Sequence, residues 1–269
     1  MKEKRVRIFL LRRWYMVGGA ALAMAAVIFY VVNYPASVST AASSRQLPIY
    51  SVERNQKVCA ISFDAAWGDA STADLVGILN RYGVKATFFV IGDWAEQYPQ
   101  DVKMLHANGM EVMNHSSSHG HMNQMSAEEI IADVEQCNDQ IEDITGQRPT
   151  LIRCPYGEYD DHVISAIRAI GMEPIQWDVD SLDWKDLSAD EIYRRVTGKV
   201  QPGSIILFHN AGQNTPQALP DILEYLLGEG YAIVPVSEIL LEGEYTIDHE
   251  GRQWPAEDGG EETDAPLAQ

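Results

Sequence analysis

Short apolar segments alternate with helix-like stretches from Lys57 onward, and this alternation limits the possible folds more than any other feature. The segments are residues 58–63, 86–91, 111–114, 150–153, 174–178, 204–209 and 232–235. The clearest helix spans 126–145. Ser126 and Glu129 form a capping box at its start. Ile130, Ile131, Val134, Cys137, Ile141 and Ile144 mark one apolar face, and Gly146 ends it. Leu75, Ile78 and Leu79 form a similar face ahead of Gly83. Strands separated by helices predict a parallel sheet, open or closed into a barrel.

In a barrel, chemistry sits on the loops at the C-terminal ends of the strands. The reactive residues of this chain cluster at those positions. Asp64 follows the first strand, and His115 and His119 follow the third. Arg153 and Tyr156 lie at the end of the fourth, Asp180 and Asp183 after the fifth, and His209 ends the sixth.

The rest of the chain divides into basic, apolar, small-residue and acidic stretches. Residues 1–13 carry Lys2, Lys4, Arg5, Arg7, Arg12 and Arg13 and read as a cytoplasmic N-terminus. Residues 14–33 form an uncharged run of about the ~20 residues that a bilayer-crossing helix needs. Basic residues ahead of it predict a single-pass membrane anchor, with the N-terminus in the cytoplasm and the remainder outside the cell. The alternative is a secreted chain whose signal peptide is cleaved among the small residues 36–42. Residues 34–56 read as a linker, 57–241 as the functional domain, and 242–269 as an acidic, disordered tail. A net charge of −19 leaves no basic face for nucleic acid. Three cysteines without a CxxC pair suggest neither a disulfide framework nor a thiolate metal site.

Histidines four apart, His115 and His119, can reach one metal ion; two solvated loop histidines are the simpler alternative. Arg153 can fix a carboxylate in one orientation through paired hydrogen bonds; a turn arginine that satisfies local carbonyls is the simpler alternative. Asp180, Asp183 and Trp184 offer two carboxylates and an aromatic face, which either stacks on a sugar ring or caps the core. Leu207 and His209 lie on a strongly apolar strand.

In order, these residues resemble the five motifs of the polysaccharide deacetylase family, carbohydrate esterase family four. Ser62-Phe63-Asp64-Ala65 stands at the first motif, His115 to His119 at the second and Arg153 to Tyr156 at the third. Asp180 to Trp184 stands at the fourth and Leu207 to His209 at the fifth. The first motif, Phe-Asp-x-Ala-Trp-Gly, is most similar to membrane-anchored sporulation deacetylases of the PdaB kind. The resemblance implies a distorted (β/α)7-8 barrel preceded by one transmembrane helix. It also implies metal-dependent removal of N-acetyl groups from amino sugars of a cell-wall polysaccharide, peptidoglycan first. By carry-over, Asp64 is the base, oriented by Arg153, and His115 and His119 hold a divalent metal, zinc or cobalt. The N–H of Tyr156 faces the oxyanion. His209 is the acid, tuned by Asp180 in preference to Asp183. Leu207 lines the acetyl pocket and Trp184 the sugar groove.

The chain departs from the family at Ala65, where the pattern has an aspartate that is the metal's third protein ligand. Asp69, His121 or water are the candidates to fill that position. Weak or lost catalysis on a glycan-binding fold is the competing expectation.

Overall fold

The computed structural model describes residues 45–256. Its strands are β1 (Ser51–Val52), β2 (Val58–Ala65), β3 (Thr87–Val90), β4 (Glu111–Asn114), β5 (Leu151–Ile152), β6 (Glu173–Pro174), β7 (Val179–Asp180), β8 (Ile205–His209), β9 (Ala232–Val234), β10 (Tyr245–Ile247) and β11 (Arg252–Pro255). The helices are α1 (Thr72–Arg81), α2 (Gly92–Gln97), α3 (Pro99–Ala107), α4 (Ala127–Thr145), α5 (Asp161–Ala169), α6 (Ala189–Thr197), α7 (Thr215–Gly228) and α8 (Val236–Ile239).

β2 is buried along its whole length, which suits a central strand covered on both faces. The main sheet runs β6-β5-β4-β3-β2-β8-β7, and β9 pairs with the first residues of β2. Its pairings are parallel. One apolar layer, with Ile61, Phe63, Phe88, Ile206 and Phe208, packs the sheet against the helices. Alternate residues, among them Ala60, Phe89 and Ile205, form a second core on the opposite face. α4 begins and ends as its sequence dictates: Ser126 and Glu129 make the reciprocal capping box, and Gly146 caps the far end in the left-handed region.

The structure corrects the expected barrel. The fifth predicted strand, 174–178, is for the most part a crossing segment that joins two short strands on opposite edges of the sheet. β6 pairs with β5 and β7 pairs with β8. Residues 175–178 cross between those edges, tied by the Gln176 N–H to the Ile49 carbonyl (2.7 Å) and by Ser204 Oγ to Asp178 (2.8 Å). The sheet is therefore a half-barrel of parallel strands whose gap is spanned by chain and not by a strand ladder.

The boundaries also shift. The anchor at 14–33, the basic segment and residues 34–44 lie outside the described residues. Among the described residues, no helix is long and apolar enough to cross a membrane. The last part of the expected linker is packed structure, because Ile49 and Val52 are apolar and fully buried. The expected disordered tail is ordered as far as Ala256. β10 and β11 form an antiparallel pair, and β1 joins β11 in parallel to make a separate small sheet. The hairpin was hidden by its acidic composition. Its buried contribution is Gln253, whose side chain accepts a hydrogen bond from the Leu241 N–H (2.9 Å).

Candidate active site

Asp64 sits within β2, one residue before its end, with Phe89 of β3 on one side and His209 of β8 on the other. β2 thus runs two residues beyond the predicted strand, and the register presents Asp64 and His209 on one face. Arg153 follows β5 and is fully buried. Its Nη1 donates to Asp64 Oδ1 (2.7 Å), its Nη2 donates to the Gln176 carbonyl (3.1 Å), and its guanidinium lies 4.1 Å from the Phe89 ring centre. Burial alone pushes the Asp64 carboxyl up. Arg153, then His115 and His209, outweigh it and hold the group below its ordinary range.

The loop after β4 carries the histidine pair. Ser116 and His119 adopt left-handed backbone, so the segment is a tight loop and not a helical turn. Asn114 Oδ1 accepts from the Ser116 N–H (2.7 Å), and Ser116 Oγ accepts from the His119 N–H (2.9 Å). The two imidazoles meet edge to face, with centres 4.9 Å apart. His115 Nδ1–H donates to the Arg153 carbonyl (2.6 Å). That bond fixes the tautomer and leaves the Nε2 lone pair facing Asp64 Oδ2 (3.5 Å). Burial lowers both histidines, and His119 falls to about 4.

These observations test whether the residues suit a metal ion. Two neutral imidazoles, one with its tautomer set by a backbone carbonyl and the other with a buried, unpartnered Nδ1, are suitable donors. A two-histidine cradle for a divalent ion therefore fits. A third protein ligand does not appear: among the described residues, no group of three or more His, Cys, Asp or Glu is placed to hold a metal.

Two of the candidates for that place, Asp69 and His121, have other neighbours in the fold. Asp69 lies close enough to Asp101, at the start of α3, to raise its carboxyl, second to burial. The His121 ring stacks on Tyr156 (4.4 Å), and Tyr156 also meets His119 edge to face (4.4 Å). His121 is further tied to Glu158 (3.0 Å). Ala65 is fully buried and belongs to the helix-facing apolar layer with Phe63.

On the other side of Asp64 the structure makes a correction. Asp183, and not Asp180, holds His209. His209 Nδ1–H donates to Asp183 Oδ1 (2.8 Å), while Asp183 Oδ2 accepts the His209 N–H (2.8 Å) and Thr215 Oγ (2.7 Å). Asp180 is occupied by a turn: its carboxylate accepts the Leu182 N–H (2.8 Å), with Leu182 in the left-handed region. Burial alone lowers His209; the hydrogen bond to Asp183 and the charge of Asp64 reverse this and raise it. Thr215 and Gly212 were not found by sequence reasoning. Their signal was the polar, glycine-containing turn directly after β8.

Tyr156 stands in a 3-10 turn in left-handed conformation, beside the histidines. Leu207 is buried on β8 and shares a row with Ser62, on the face that carries Asp64 and His209. Trp184 is exposed, with the Lys185 ammonium 4.8 Å from its ring centre.

The polysaccharide deacetylase family profile matches residues 51–175. Over 188 residues the chain is 37% identical to the peptidoglycan-N-acetylmuramic acid deacetylase PdaC of Bacillus subtilis, covering 70% of this chain and 40% of that protein. The solved structure of PdaC, 37% identical, superposes with a TM-score of 0.64 over 70% of this chain and 92% of the solved one. The chain belongs to the polysaccharide deacetylase family.

Deacetylases of this family are generally metal-dependent. The peptidoglycan-N-acetylglucosamine deacetylase PgdA of Listeria monocytogenes is 32% identical over 73% of this chain and 42% of its own length. The chain thus spans about 40% of the length of these two curated relatives. BA3943 of Bacillus anthracis, described as a pseudoenzyme of the same family, is 33% identical with a TM-score of 0.70, covering 73% of this chain and 69% of that one. A BA3943 mutant is described as having restored enzymatic activity.

Proposed function

We propose that this chain hydrolyses N-acetyl groups from amino sugars of a cell-wall polysaccharide, peptidoglycan first. One observation carries the reading: Asp64 and His209 sit side by side on neighbouring strands with their proton affinities pushed apart, Asp64 down and His209 up. A base that stays ionised and an acid that stays protonated are what amide hydrolysis requires.

Asp64, oriented by Arg153, takes a proton from the attacking water. His209 gives its Nε2 proton to the departing amine, and Asp183 stabilises the imidazolium until then. The backbone N–H of Tyr156 faces the developing oxyanion. Leu207 lines the place of the acetyl methyl, and Trp184 offers its exposed ring to the sugar. His115 and His119 would hold a divalent ion, zinc or cobalt, which when bound polarises the carbonyl and lowers the pKa of water. The site of action is outside the cell, with the segment at 14–33 as anchor and sporulation as the setting.

A second reading has its own support. The missing third ligand and the likeness to BA3943 favour a glycan-binding protein with weak or lost catalysis. Acetate release from peptidoglycan and from N-acetylglucosamine oligomers, with and without added zinc or cobalt, separates the two. Metal-stimulated release establishes the deacetylase; sugar binding without release under every metal establishes the second reading.

A further inference from the structure

The three large aromatic side chains that are most exposed are Trp67 (60%), Tyr156 (56%) and Trp184 (56%) among the described residues. Tyr156 and Trp184 belong to the site above. Trp67 has no role there, although it touches the site: its ring meets His119 edge to face at 4.8 Å. Tyr156 meets the same imidazole at 4.4 Å. Two exposed rings therefore share one half-buried neighbour, at the mouth of the candidate metal cradle.

The loop that carries Trp67 is anchored from below. The carbonyl of the next residue, Gly68, accepts from Trp94 Nε1 (2.7 Å) and from Asn210 Nδ2 (2.8 Å). Both donors are almost wholly buried. Asn210 directly follows His209, and its own N–H donates to the Asp64 carbonyl (3.0 Å). Gly68 has φ +60°, the backbone that turns the chain here. The indole is thus held out into solvent by a fixed turn, next to a second exposed ring on the same imidazole. Ring faces presented beside a polar cleft are what the apolar faces of pyranose rings stack on, and prior ordering of the loop lowers the entropy lost on binding.

We propose that Trp67 is a sugar-stacking residue, forming with Tyr156 across His119 a subsite for an N-acetylated pyranose of the polymer chain. The proposal rests on the reading of the site as one for amino-sugar polymers. Trp67 then acts on substrate affinity and takes no part in proton transfer.

The test is calorimetric titration of the full chain with the N-acetylglucosamine tetramer in the presence of a chelator, which prevents turnover. Trp67→Ala is expected to weaken binding about tenfold and Trp67→Phe to retain most of it. A separate zinc titration is expected to give one affinity for all three proteins, because a stacking residue leaves His119 as it is. Tetramer binding unchanged by Trp67→Ala, while Trp184→Ala weakens it, overturns the inference and leaves the proposed function standing. Zinc affinity that falls in parallel with tetramer affinity also overturns it, since the indole would then act only by positioning His119. A wild-type protein that binds no tetramer overturns both.

Discussion

At the scale of single residues, the site rests on two buried acid–cation pairs on either side of one strand boundary. Asp64→Asn removes the base, so acetate release should fall by about 10²–10⁴-fold. The same change leaves Arg153 buried without its counter-ion, and thermal unfolding should show a loss of about 3 kcal/mol. For His209 the sign follows from its partner. Its folded pKa is raised above the free value of about 6.5. The stability it contributes is therefore complete below about 6.5 and is lost as pH rises through the folded value. Asp183→Asn should move the alkaline limb of the pH–rate profile toward neutrality and flatten Tm against pH in that window, whereas Asp180→Asn, which removes only a weaker charge effect on His209, should move both less. Ala65→Asp should tighten zinc binding in a titration yet lower Tm, because position 65 is fully buried against apolar neighbours. Unchanged zinc affinity would mean that the new carboxylate stays in the apolar layer.

At the scale of elements, much was legible because it is local. β4 has the boundaries that its pattern predicts, and Ser126 with Glu129 starts α4 where the capping box requires. Asp64, His115, His119, Arg153 and His209 were legible because parallel strands bring their C-terminal ends together. The choice between Asp180 and Asp183 was not legible. It depends on the left-handed Leu182, which turns the first carboxylate back onto its own loop. His121 was left open by the sequence as a ligand or a neighbour; in the fold its ring stacks on Tyr156, from a distant loop, and it pairs with Glu158. The turn after β8 carries a further prediction. A Cβ on Gly212 would collide with Thr215 Oγ and stand 2.6 Å from Asp183 Oδ2. Gly212→Ala should lower Tm and shift the alkaline limb in the same direction as Asp183→Asn, measured on the same profile.

At the scale of the molecule, the half-barrel is held together by contacts between distant parts of the sequence. Composition read the region after Leu241 as tail, since a two-strand ribbon buries little and shows weak periodicity. Its partner β1 is only two residues long and gives no strand signal by itself. Cutting the chain after Leu241 should remove β10 and β11, expose Val52 and cost about 2–4 kcal/mol by thermal unfolding. The pairing of Ser51 with Arg252 also sets an order in time. A chain made from its N-terminus presents β1 first and must wait for the whole parallel sheet between them before β11 arrives to pair with it. Until then β1 has only its backbone contacts to Gly203 and Ser204, and its parallel pairing is completed late.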